Sequence, residues 1–142
     1  MAPPKNDIKT TDALGQIAYT VMAVLTRVAA EHDMSLTQLR VLGILRDRTP
    51  QMAQLASFLG LEKSTMSGLI GRAERRGLVE RRPSPDDARV ILVGLTPAGR
   101  ALARAAELDA AEGLADLTTR LDARQVSALK EVARLSEGAR TS

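Results

Sequence analysis

Side chains suited to covalent or metal chemistry are almost missing from this chain. It has no cysteine and a single histidine, His32. Disulfides, thiol redox sensing and zinc ribbons are thereby excluded, and a transition-metal site would need mostly carboxylates, which such metals disfavour. His32 has no visible nucleophile partner, and no phosphate-binding glycine loop occurs, so neither an enzyme nor a cofactor is expected. What the residues do offer is recognition chemistry. Ser64, Thr65 and Ser67 open a helical stretch, Arg72 and Arg75 lie in its second half, and Asp87 and Arg89 flank a polar turn. Short hydroxyls at a helix N-terminus meet phosphates or base edges, and a guanidinium reads guanine or grips a phosphate. Each group also has a plainer reading. The hydroxyls would simply cap the helix. Arg72 and Arg75 would form a solvated face or pair with Glu74 or Asp87, and Asp87 with Arg89 would be a surface ion pair of little energetic value.

Charge distribution favours the recognition reading. Residues 1–33 carry 3 basic and 4 acidic groups, residues 34–104 carry 12 and 6, and residues 105–142 carry 5 and 7. A basic middle between mildly acidic ends suits a central nucleic-acid module. With one Tyr, one Phe and no Trp, the chain lacks the aromatic platforms on which single strands stack, so duplex DNA is the expected partner.

The elements that must position these groups follow from pattern. Residues 1–10, with two prolines, read as a loose tail. From Thr11 a helix presents Leu14, Ile17, Val21, Leu25 and Val28 on one stripe and ends near His32-Asp33. Thr37 reads as the N-cap of a second helix with Leu39, Leu42 and Leu45 inward. Thr49-Pro50 reads as the cap and first residue of a third, which Gly60 ends. A fourth runs from about Lys63 to Arg76, stopped by Gly77, and the pair makes a helix-turn-helix. Leu78–Arg82 and Val90–Val93, joined by Pro83-Ser84-Pro85-Asp86-Asp87, read as a hairpin. Thr96-Pro97 starts a long helix through Leu102, Ala106, Leu108 and Leu117, and Asp122 caps a last one through Val126, Leu129, Val132 and Leu135. The fold class is mainly α with a small β-hairpin, a winged helix-turn-helix with flanking helices. We expect one domain over residues 11–142, with helices at 11–33 and 97–138 for pairing and a lobe at 36–96. No apolar stretch looks long enough to span a bilayer and residues 1–12 lack a signal peptide's apolar segment, so a cytoplasmic protein without membrane contact is expected.

The segment Gln51–Leu102 resembles the multiple antibiotic resistance regulator (MarR) family. The marks are Ser64-Thr65-x-Ser67, Arg72, Gly77-Leu78-Val79-Glu80-Arg81, Pro85-Asp86-Asp87-x-Arg89 and Leu95-Thr96-Pro97-x-Gly99, in the family's order and spacing. The resemblance implies a homodimer paired through its first and last two helices. It implies recognition helices in successive major grooves of a pseudo-palindromic operator, and Arg89 in the minor groove with Asp87 orienting it. It also implies a repressor released by a small phenolic or anionic ligand. Thr37, Gln38, Lys63, Ser64, Thr65, Ser67, Gly68, Arg72, Arg75, Asp87 and Arg89 are the DNA-contact candidates. Tyr19, His32 and Arg40 are the ligand candidates, although core packing for Tyr19 and C-terminal capping for His32 stand ahead of that role. Gly68 departs from the family, which often has a polar or basic side chain there, and Ala73 stands where Leu is common. Small residues would let the helix backbone approach the bases; the plain alternative is tolerated drift. A winged helix used only for protein contact is the competing function.

Overall fold

The computed structural model describes residues 5–138. Its elements run α1 (Lys5–Glu31), α2 (Leu36–Leu45), α3 (Met52–Leu59), α4 (Lys63–Arg75), β1 (Val79–Pro83), β2 (Ile91–Leu95), α5 (Pro97–Gly113), α6 (Ala115–Thr118) and α7 (Ala123–Gly138). Of the expected tail, residues 1–4 lie outside the described residues. Residues from Lys5 onward are instead the first turns of α1, since neither proline nor glycine interrupts the helix before Gly15.

Local chemistry sets the other boundaries. α1 closes with Asp33 in the left-handed conformation (φ 56°). Met34 N–H then donates to Ala29 O and Asp33 N–H to Ala30 O, the pairing of a Schellman cap with Asp where Gly is usual. The N-cap of α2 is Ser35 and not Thr37. Ser35 Oγ accepts from Gln38 N–H at 3.1 Å, and Gln38 Oε1 accepts from Ser35 N–H at 2.9 Å. This reciprocal capping box satisfies two orphan donors, which a cap at Thr37 would not. Gly60 (φ 65°) and Gly77 (φ 73°) end α3 and α4 as expected. The stretch expected to be one long helix after Pro97 breaks at Leu114, and α6 is a single turn beyond it. Asp122 caps α7 through Oδ1 to Gln125 N–H at 2.8 Å.

Thr49-Pro50 is not a helix start. The Pro50 carbonyl accepts from Val93 N–H at 2.9 Å, and Gln51 bridges Leu92. Lacking an N–H, Pro50 serves a sheet only through its carbonyl, as edge prolines do. β1 and β2 pair antiparallel, Val79 opposite Leu95 and Arg81 opposite Val93. Where α5 crosses the hairpin base, a Cβ on Gly99 would lie 1.8 Å from Leu78 O, so only glycine permits that approach.

The core is one cluster centred on Leu55, Met66, Ile70, Val41 and Val93, joined by Ala103 of α5 and Ala29 of α1. Each large aliphatic side chain there contributes roughly 1.5–3 kcal/mol. The terminal helices are different. Val28 is 1% exposed, but Leu14 and Ile17 on the same α1 stripe are 53% and 44% exposed, and Leu129, Val132 and Leu135 of α7 are uncovered. By length and composition alone α1 between Lys9 and Glu31 could cross a membrane, a test that core helices of globular proteins also pass. Its last turn, however, buries Val28 and packs Ala29 into the core cluster.

Candidate nucleic-acid interface

The N-cap of α4 is Glu62, whose side chain makes no capping bond. Ser64, Thr65 and Ser67 are therefore not capping residues. All three are exposed, and their hydroxyls have no partner among the described residues. Lys63 is exposed just before them. Residues 64, 68 and 72 are four apart and share one face. Arg72 and Arg75 fold back toward the helix N-terminus. A methyl on Gly68 would stand 3.7 Å from Arg72 Nη1, and one on Gly71 would stand 3.6 Å from Arg75 Nη1. Neither arginine pairs with Glu74 or Asp87, because Glu74 is taken by Arg81 and Asp87 by Arg89. On α2, Thr37 is exposed, while Gln38 has committed its carbonyl oxygen to the capping box, leaving its amide nitrogen for an outside partner.

At the hairpin turn Asp87 holds Arg89 in a fork. Arg89 Nε donates to Oδ1 at 3.1 Å and Nη2 to Oδ2 at 3.2 Å, while Arg89 backbone N–H also donates to Oδ1 at 3.0 Å. The side chain of Arg89 remains 91% exposed. The Arg89 guanidinium, then its backbone N–H, hold the Asp87 carboxyl below its ordinary value, against a small opposing effect of desolvation.

These positions invite comparison with known proteins. A model of the MarR family matches residues 32–90. The chain is 30% identical over 125 residues to the multiple antibiotic resistance protein MarR of Salmonella typhimurium, covering 82% of this chain and 85% of that protein. The chain belongs to the MarR family. Two other relatives match over 81 and 65 residues, which span only 51% and 41% of their own lengths. Among solved structures, NadR in complex with 4-hydroxyphenylacetate superposes with a TM-score of 0.82 at 20% identity, covering 96% of this chain and 98% of that one. A mutant MarR from E. coli complexed with operator DNA superposes at 0.69 and 23%, covering 95% and 99%. These superpositions establish the winged-helix fold of MarR regulators.

Within that fold the ligand candidates do not come together. A cavity of about 780 Å³ opens between α1, α2 and α5, lined by Leu25, Leu39, Arg40, Ala106 and Phe58 among others. Arg40 lines it; Tyr19 and His32 do not. Tyr19 is 79% exposed on α1, so it is not a core residue either. It lies in the half of that helix which the protomer leaves uncovered. His32 Nε2 donates to Asp109 Oδ2 at 2.7 Å, tying the end of α1 to α5. The Schellman cap of α1 is reinforced by Arg76, which donates to the carbonyl oxygens of His32 and Asp33. Arg46 at the end of α2 pairs with Glu107 of α5 at 3.0 Å. Two residues went unnoticed as sites in the sequence, Arg76 and Arg81. Arg81 stood in a family mark, but only its side-chain path reveals what it touches.

Proposed function

We propose that this MarR-family chain is a homodimeric repressor that binds a pseudo-palindromic duplex operator and releases it when a small molecule fills the cavity. The observation that carries the reading is the Asp87–Arg89 fork. A two-residue spacing on a hairpin turn leaves a guanidinium extended and almost fully exposed, the form suited to a narrow, electronegative minor groove. The exposed, unengaged hydroxyls at the start of α4 and the free Arg72 and Arg75 supply groups of the kind that read a major groove. Operator binding by a MarR protein of the same fold supports the assignment. The bare leucines of α1 and α7 favour pairing through the terminal helices, with residues 36–96 as the DNA lobe. A second copy, and not lipid, would cover α1, because that helix is continuous with the lobe's core. Such a regulator works in the cytoplasm and has no catalytic step.

The cavity's size falls in the range that encloses a small ligand; its walls are mostly aliphatic, with Arg40, Arg46 and Arg48 set against Asp47, Glu107 and Glu137, and suit a mostly apolar molecule with a polar end, such as an aromatic acid. Footprinting on the DNA upstream of the protein's own gene, with and without an aromatic-acid panel, tests the reading. Two protected half-sites about one helical turn apart are expected, weakened by at least one acid. Absence of protection on any fragment, or a single asymmetric half-site, would contradict it.

A further inference from the structure

We infer that Arg81 is a positioning residue, which locks the hairpin onto α4 and thereby sets how the helix and the wing meet one DNA site together. The inference rests on the DNA-binding reading above. Arg81 leaves β1 and lies along α4. Its Nε stands 2.7 Å from Glu74 Oε1, and its Nη2 donates to the backbone carbonyl of Ser67 at 3.2 Å. Ser67 and Glu74 are two helical turns apart, so one guanidinium bridges the middle of the helix. Gly71 lies between them, where a methyl would be 3.9 Å from Arg81 Nη2. That is ordinary contact, but a longer side chain would lift the guanidinium off.

Residues 67, 71 and 74 form the stripe next to the one carrying Ser64, Gly68 and Arg72. Arg81 thus braces α4 immediately beside its candidate reading face. It is poorly suited to hold a phosphate itself. Its charge is already met by Glu74, two of its donors are spent, and both side chains of the pair are 35% exposed against 91% for Arg89. A two-stranded hairpin is marginal alone, so its angle depends on what it is tied to. Leu78 and Val79 hold its base in the core, and Val93 N–H to Pro50 O with the Gln51–Leu92 bridge ties β2 to the segment before α3. Arg81 ties β1 to α4, the helix that carries the candidate reading face. Without it the strands keep their hold on the α3 side while their angle to α4 loses its side-chain link.

The test uses full-length protein, an operator fragment and a scrambled duplex, each titrated at several salt concentrations. Arg81→Ala should weaken operator binding about tenfold while changing scrambled-duplex binding by less than about twofold and leaving the salt slope unchanged. Arg81→Lys, which keeps the charge but not two directed donors, should lose nearly as much. In a double-mutant cycle, Glu74→Ala should add little to Arg81→Ala. A shallower slope with equal losses on both duplexes, full rescue by lysine, or strict additivity with Glu74→Ala would each overturn the proposal. A DNA-free arm keeps it separate from the functional reading. The chain has no cysteine, so spin labels on cysteines placed at Glu62 and Asp86, in labelled protein diluted into unlabelled, report the helix-to-wing distance within one protomer. That distance should be narrow in the otherwise unaltered protein and broad in Arg81→Ala. Equal distributions would sink the brace, whereas a narrow-to-broad change in a protein that selects no DNA sequence would sink only the functional reading.

Discussion

The guanidinium of Arg76 donates to the carbonyl oxygen of Asp33 at 3.0 Å and to that of His32 at 3.2 Å. The residue just after α4 thus closes the C-terminus of α1, 43 positions earlier in the chain, where a cation also meets the negative end of the helix dipole. Arg76→Ala should lower stability by about 1 kcal/mol, the scale of charge-assisted bonds at an exposed site. Urea unfolding measures this, and an unchanged midpoint would mean the two bonds have no net worth.

Gly68 and Gly71 separate two uses of a small residue. At either position a methyl makes only ordinary contacts, 3.7 Å and 3.6 Å to the nearest arginine nitrogens. Each Gly→Ala change should raise stability by about 1 kcal/mol through helix propensity. Gly68→Ala should also weaken operator binding, because that position shares a face with Ser64 and Arg72, whereas Gly71→Ala should leave it intact. Thermal melts and operator titrations of both variants decide this. Equal operator affinities would make Gly68 a tolerated drift.

Asp87 predicts a pH window. Its carboxyl titrates below the ordinary value of 3.8 because the Arg89 guanidinium and N–H bind its charged form. A group with a depressed folded value stabilises above its unfolded value and loses that effect as pH falls through the folded one. The fork should therefore be whole throughout neutral and mildly acidic conditions and open only below 3.8. Carbon NMR of the Asp87 carboxyl follows it, and a midpoint at or above 3.8 would contradict the fork in solution.

The sequence made much of this legible. Helix periodicity, Gly60, Gly77, Thr96-Pro97 and the Pro-Asp-rich turn located α2 to α5 and the hairpin, because those signals are local. The errors came where tertiary partners decide. Thr49-Pro50 had the look of a helix start, but the Pro50 carbonyl is held by Val93 of a strand far along the chain. Tyr19 was expected in the core, yet its helix is bare at that point. Thr37 lost the cap to Ser35 because Gln38 reaches back to that residue. Within the site, the Asp87–Arg89 pair was readable from spacing. The path of Arg81 along α4 was not, since a strand residue's reach depends on how the hairpin lies.

The exposed stripes of α1 and α7 are the surfaces through which the proposed dimer would pair. Leu129 is 47% and Leu135 is 74% exposed in the protomer. Leu129→Lys combined with Leu135→Lys should shift the protein from dimer to a destabilised monomer by sedimentation at micromolar concentration, since buried charge is costly. A dimer of undiminished strength would place pairing elsewhere.

Engagement of duplex DNA by α4 and the wing is tested most directly at Arg89. Its side chain is 91% exposed, so Arg89→Ala should leave the fold intact. Fluorescence titration of wild type and Arg89→Ala against one operator at several salt concentrations should show a loss of roughly 1–3 kcal/mol per dimer, the scale of charge-assisted contacts. The salt dependence should become shallower by about one counterion per protomer. Equal affinities and equal slopes would contradict the account, leaving the Asp87–Arg89 fork a surface ion pair and the wing clear of DNA.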